Sequence, residues 1–181
     1  MFARHPFPLF PVGNTSEGDG ITNSMPVPDL FSLHEEADTR IILHCLYAAK
    51  QVNTTRVIVR SHDTDVFLLL LSFSDVIGKT LILDTGTGNR RRQINISQLA
   101  SSFSKQLRDA LLGLHAFTGC DTTSCFAGKG KVKPLKIIRN DDHLTEVFSR
   151  LGTDENISVE DQHSLEHFVC RLYGKKNSNK C

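Results

Sequence analysis

Val57-Ile58-Val59-Arg60-Ser61-His62-Asp63-Thr64-Asp65 is an apolar, β-branched run that stops at two carboxylates separated by one residue. Three successive β-branched residues without polar alternation read as a buried, central parallel strand. The Asp-x-Asp that follows falls at the carboxyl end of that strand, where open α/β sheets place their ligands.

Downstream, Val66 to Phe73 is so apolar that periodicity cannot separate a short buried helix from a continuing strand. Thr80 to Leu83 reads as the next strand, ending at Asp84, and Gly86 to Asn89 as a turn leading to an edge hairpin arm over Arg90 to Ile96. Ser97 is the expected N-cap of a helix over Gln98 to Phe103. A further helix is expected over Lys105 to Phe117, with Leu107, Leu111 and Leu114 on one side. Asp142 to Leu151, and Glu160 to Tyr173 with Ser158 and Asp161 as a capping pair, complete a helical carboxyl-terminal part.

Upstream, Ser32-Leu33-His34-Glu35 fits a capping box, so a helix is expected from about Leu33 to Lys50. On it Asp38, Ile42, Cys45 and Ala49 share the face that packs on the sheet. A carboxylate therefore stands at its amino-terminal end. Helical spacing pairs Glu35 with Asp38 and turns Glu36 elsewhere. Before this helix, Met1 to Asp29 carries five of the six prolines and three glycines, and reads as a flexible lead-in.

The 181 residues, 39% hydrophobic and 23% charged with a net charge of +1, describe one ordinary globular domain without a uniformly basic coat. Basic residues are nevertheless grouped. Arg90, Arg91, Arg92, Lys105 and Arg108 lie between Asp84 and Asp109 with no acid among them, and Lys129, Lys131, Lys133, Lys136 and Arg139 lie between Phe126 and Arg139. Arg90 to Arg92 read as a solvated edge. Five scattered cysteines without a Cys-x-x-Cys pair suggest reduced thiols in an intracellular protein. The proline-broken start lacks the core of a signal peptide, and the longest apolar run is too short for a bilayer, so no membrane partner is expected.

Carboxylates at 35 or 36, 38, 63, 65 and 121 come from three segments, each at the end of an apolar element. Hard cations such as Mg²⁺ and Mn²⁺ prefer such oxygen donors, and two of them in one acidic cluster serve phosphodiester hydrolysis. The segment Gly128-Lys129-Gly130-Lys131-Val132-Lys133-Pro134 joins glycines that permit close backbone approach to lysines that attract phosphate. A solvated basic turn explains the same residues equally well. The consecutive Ser61-His62-Asp63 is no catalytic triad, because neighbouring side chains on a strand face opposite ways. His163 and His167 lack a third zinc ligand, and the Gly-x-Gly segments lack Walker spacing.

Glu36-Ala37-Asp38, the strand with Asp63-Thr64-Asp65, and Leu114-His115-Ala116-Phe117-Thr118-Gly119-Cys120-Asp121 followed by Gly128-Lys129-Gly130-Lys131 resemble, in order, the motifs of the flap-endonuclease (XPG-like) branch of the PIN-like nucleases. The resemblance spans Leu33 to Arg139. It implies a Rossmann-like PIN fold, α/β with a mostly parallel sheet flanked by helices. It also implies a core over 30–139, a helix-hairpin-helix-like segment at 119–139, carboxyl-terminal helices over 140–173 and a tail over 174–181.

The same resemblance implies Glu36, Asp38, Asp63, Asp65 and Asp121 as ligands of two Mg²⁺ or Mn²⁺ ions, with Asp63, Asp65 and Asp121 catalytic. Gly128, Lys129, Gly130, Lys131 and Lys133 would hold the backbone of branched or flapped DNA. The activity implied is endonucleolytic hydrolysis, and nuclear residence follows from the same likeness. The sequence departs from the family in lacking a recognisable first strand with its Asp, which suggests an amino-terminally incomplete domain. It also has Asp38 where a second Glu is usual and Thr122 where a Tyr is common. A catalytically inactive PIN-like module that binds nucleic acid or protein is the alternative.

Overall fold

The computed structural model describes residues 9–11, 24–31, 37–120, 123–153 and 156–174. Glu36 and Asp121, together with the capping box at Ser32 to Glu35 and Thr122, lie outside them.

A helix α1 (Ala37–Lys50) leads into strand β3 (Arg56–Arg60), and helix α2 (Thr64–Ile77) returns to β4 (Thr80–Thr85). β3 and β4 pair in parallel with Val57 opposite Leu81 and Arg60 opposite Asp84. β5 (Arg92–Asn95) then adds antiparallel to β4, as the expected hairpin arm. The sheet order is β3-β4-β5, so β4 is central and β3 is an edge among the described residues. The sheet is thus mixed, where the sequence suggested one mostly parallel with β3 inside it. β3 accordingly alternates: Val57 and Val59 are buried, while Ile58 is 49% exposed. The proline-rich lead-in is not structureless, since β1 (Leu9–Pro11) and β2 (Ser24–Pro26) pair antiparallel and Leu30 is buried after them.

The ambiguous Val66 to Phe73 run is helical because its ends are defined chemically. Asp63 caps the amino end of α2, and Gly78 closes it at φ 63°, a left-handed angle that glycine adopts without strain. Helix α3 (Ile96–Ser101) follows β5 directly. Its cap is Asn95, whose Oδ1 accepts from the Gln98 N–H at 3.0 Å. Ser97 is not the cap, because its hydroxyl reaches back to accept from Leu81 N–H at 2.9 Å and donate to the Lys79 carbonyl at 3.1 Å. Ile42, Cys45, Val66, Leu70, Leu71, Ile96 and Ala100 pack with Val57, Val59, Leu81 and Leu83 into a first core.

Helix α4 (Lys105–Phe117) links this core to a second one built with α5 (Val132–Ile138), α6 (Asp142–Arg150) and α7 (Val159–Leu172). Ser104, Asp141 and Ser158 cap α4, α6 and α7 through side-chain oxygens. Phe148 is fully buried, with its ring centroid 5.6 Å from Phe117 and 4.9 Å from Phe168. Arg108, counted above within a basic segment, is buried: its Nη1 donates to Asp75 Oδ1 at 2.9 Å and Ser74 Oγ at 3.2 Å, which ties α4 to α2. No described helix is long and apolar enough to cross a membrane. Cys45 and Cys125 are free thiols, whereas Cys170 is disulfide-bonded, a departure from reduced cysteines throughout.

Candidate functional site

The carboxyl edge of the β3–β4 pair collects polar side chains because three elements end there. β3 terminates at Arg60, and its turn continues through Ser61, His62 and Asp63 into α2. Asp63 N–H donates to Ser61 Oγ at 3.1 Å, and Asp63 Oδ1 accepts from Asp65 N–H at 2.8 Å. Both aspartates are half-buried at the amino end of α2, the positive end of its helix dipole. α1 packs against β3 and α2 and joins β3 through only a short turn, so it runs antiparallel to the strand.

α4 supplies the third approach. His115 on its last turn meets Asp65, Nε2 to Oδ1 at 2.6 Å, with 13% of the imidazole and 26% of the carboxylate side chain exposed. The chain then passes through Thr118 and Gly119 toward the segment that contains Asp121. Gly119 sits at φ 105°, and a Cβ there would lie 2.6 Å from Cys125 Cα, so only glycine lets the two limbs of this loop touch. Asp63 Oδ2 and Asp65 Oδ2 have no hydrogen-bond partner among the described residues. Among those residues no group of three or more His, Cys, Asp or Glu side chains converges closely enough to hold a metal ion.

The basic hairpin is largely engaged within the protein. Lys131 Nζ donates to the His115 carbonyl and to Thr118 Oγ1, each at 2.9 Å, and to the Gly119 carbonyl. It thus neutralises the carboxyl end of α4. Burial holds its pKa below the usual lysine value, against the opposing pull of Cys120, Asp65 and Cys125. Lys133 Nζ donates to the Leu172 carbonyl at 2.6 Å at the end of α7, and Lys129 stands 4.7 Å from the Tyr173 ring centroid. Gly128 adopts φ 67° in a turn with open space where a Cβ would stand, and Gly130 has the same open space.

Two features of this edge escaped the sequence reading. His115 was a member of a motif without a role of its own, although it is the one ionisable side chain on the last turn of an otherwise apolar helix end. In the sequence Asp84 reads only as a strand end. It is 4% exposed and binds two arginines: Arg91 through Nε to Oδ1 at 3.0 Å and Nη2 to Oδ2 at 2.6 Å, and Arg60 through Nη1 to Oδ2 at 3.0 Å. The Arg91 guanidinium holds the Asp84 carboxyl below the usual carboxylate range, with Arg60 adding to the effect. The signal was present in two parallel triplets, Val57-Ile58-Val59 and Leu81-Ile82-Leu83, each followed by a charge of opposite sign.

Beside His115 and Thr64, a groove of about 310 Å³ runs between the two cores, walled by Phe67, Leu71, Leu107 and Leu111. Lys131 and Arg139 also line it. No protein-family model, curated protein or solved structure matches the chain.

Proposed function

We propose that this chain carries the core of a divalent-metal-dependent endonuclease of PIN-like layering, acting on phosphodiester bonds in structured DNA. One observation carries the reading. Asp63 and Asp65 stand where β3 ends and α2 begins, and the last turn of α4 is fastened to Asp65 through His115. Asp63 and Asp65 each keep one carboxylate oxygen without a partner among the described residues, and hard cations select such oxygens.

Glu36, Asp38, Asp63, Asp65 and Asp121 would hold two Mg²⁺ or Mn²⁺ ions. When bound, those ions supply charge neutralisation at the scissile phosphate and polarisation of the attacking water. The chain's own residues do the placing. Capping of α2 by Asp63 fixes the turn, and His115 holds the Asp65 carboxylate in one orientation.

A second reading is a PIN-like module that binds nucleic acid or protein without cleaving, in which Lys131 and Lys133 serve the fold at helix ends. Incubation of the full chain with a labelled 5′-flap duplex and Mn²⁺ separates the two. Cleavage that disappears in Asp63→Asn and Asp65→Asn supports the nuclease. Retention of the DNA without cleavage by the folded wild-type chain supports the binding module.

A further inference from the structure

Asp84 is buried at the carboxyl end of the central strand, and one bidentate arginine would satisfy it. Arg91 already provides that fork. Arg60 nevertheless brings a second guanidinium to the same carboxylate, and the two arginine side chains are 52% and 57% exposed. A second cation against a carboxylate already paired adds little stability at a surface and repels its twin. The triad keeps a surplus positive charge, with Arg60 Nε and Nη2 and Arg91 Nη1 lacking partners among the described residues. Donors held in this way, on a charge that the fold does not need, suit an anion with several acceptor oxygens.

We propose that Arg60 and Arg91, drawn together by Asp84, form a clamp for a backbone phosphate of the nucleic acid beside Asp63. This rests on the nuclease reading given above. Arg60 lies three residues before Asp63, at most about 11 Å along the chain. The spacing is rigid, because Ser61 N–H donates to the Asp84 carbonyl at 3.2 Å and Gly86 N–H to His62 Nδ1 at 2.9 Å, which stitches the β3–α2 turn to β4 and its following loop. Lysines of the 128–133 hairpin are engaged elsewhere, so the clamp supplies cations that the hairpin does not offer. Arg90 and Arg92 flank it, exposed and without an ion pair among the described residues.

The test is fluorescence anisotropy of a labelled flap duplex in EDTA, where metal ligands do not contribute, run across a salt series. A neutral clamp variant combines Arg60→Gln, Arg91→Gln and Asp84→Asn, and a control combines Arg90→Gln and Arg92→Gln, with helicity followed by circular dichroism. Loss of the one phosphate contact should weaken the clamp variant by about tenfold and reduce the salt slope by about 1. The control should lose much less. Equal losses in both variants, or none in the clamp variant, overturn the proposal, as does retention of inorganic phosphate without DNA.

If the triple variant fails to fold, Arg60→Lys with Arg91→Lys keeps both charges and removes the fork. Weaker DNA binding then supports the clamp, and unchanged affinity overturns it. Cleavage in Mn²⁺, measured in parallel, separates the two claims. Clamp-dependent binding without cleavage refutes the nuclease reading alone, and cleavage with an unchanged KM in the clamp variant refutes the clamp alone.

Discussion

Gly113 gives opposite forecasts from helix propensity and from packing, so substituting it decides between them. It stands inside α4, where exchange of glycine for alanine ordinarily stabilises a helix by about 1 kcal/mol. In the folded chain, however, a Cβ at this position would lie 2.3 Å from the Phe148 carbonyl oxygen, 3.3 Å from its carbon and 3.4 Å from Leu151 Cβ. The first contact is about 1 Å short of van der Waals separation, and the obstacle is backbone rather than a side chain that can rotate away. α6 must move off α4, carrying Phe148 from its packing against Phe117 and Phe168.

Overpacking of this kind costs about 1–3 kcal/mol, and a rigid carbonyl puts Gly113→Ala near the upper end. Net of the propensity gain, a destabilisation of about 2 kcal/mol is expected, a fall in Tm of about 4–8 °C for a domain of this size. Urea and thermal unfolding followed by circular dichroism measure it. His115, two residues further along the same helix, should also lose its contact with Asp65, visible as a shift of the imidazole NMR signals. A rise in Tm with Gly113→Ala would refute the close packing of α4 on α6.

Asp141 caps α6 through its bond from Leu144 N–H at 3.1 Å and meets Arg171 Nη1 at 2.5 Å, so Asp141→Ala should cost about 1–2 kcal/mol in urea unfolding. Burial alone would raise the Asp141 pKa, but Leu144 and Arg171 hold it below the usual value. Its contribution is therefore complete above the unfolded carboxylate pKa of about 3.9 and fades as pH falls through the lower folded value. The gap between wild type and Asp141→Ala should close in that acid window. Burial pushes the Cys45 thiol up from 9.0 to about 11, while Cys125 is exposed. At pH 8 a thiol reagent should modify Cys125 rapidly and Cys45 only as the chain unfolds, since about one Cys45 in a thousand is thiolate. Stability that rests on the neutral Cys45 is full below pH 9 and lost as pH rises toward 11, a loss that Cys45→Ala should remove.

Elements whose boundaries are set by local chemistry were legible in the sequence. Lys105–Phe117 is the helix expected, and α7 begins at the Ser158–Asp161 pair. The strand Thr80–Thr85 and the turn from β3 into Asp63 were likewise readable. Where two polar residues competed for one task the reading failed: Asn95 caps α3 because Ser97 is used across the chain by Leu81 and Lys79. The β1–β2 pair was hidden because prolines and glycines mask strand alternation. The mixed sheet was hidden because a run such as Val57 to Val59 does not state which strand lies beside it.

The site shows the same division. Asp63 and Asp65 were placed at the strand end by sequence alone. The coupling of Asp65 to His115 spans 50 residues and leaves no periodic trace. The lysines of the hairpin looked like a phosphate grip because composition reports charge, whereas the acceptors that bind Lys131 and Lys133 are backbone carbonyls, invisible in side-chain identity.

Isothermal titration of the purified chain with Mn²⁺, beside Asp63→Asn and Asp65→Asn, tests the central claim most directly. A metal site built on the β3–α2 turn predicts a binding isotherm for the wild type that each substitution abolishes while the chain remains folded. A folded wild-type chain that takes up no Mn²⁺, or uptake that both substitutions leave intact, would contradict it.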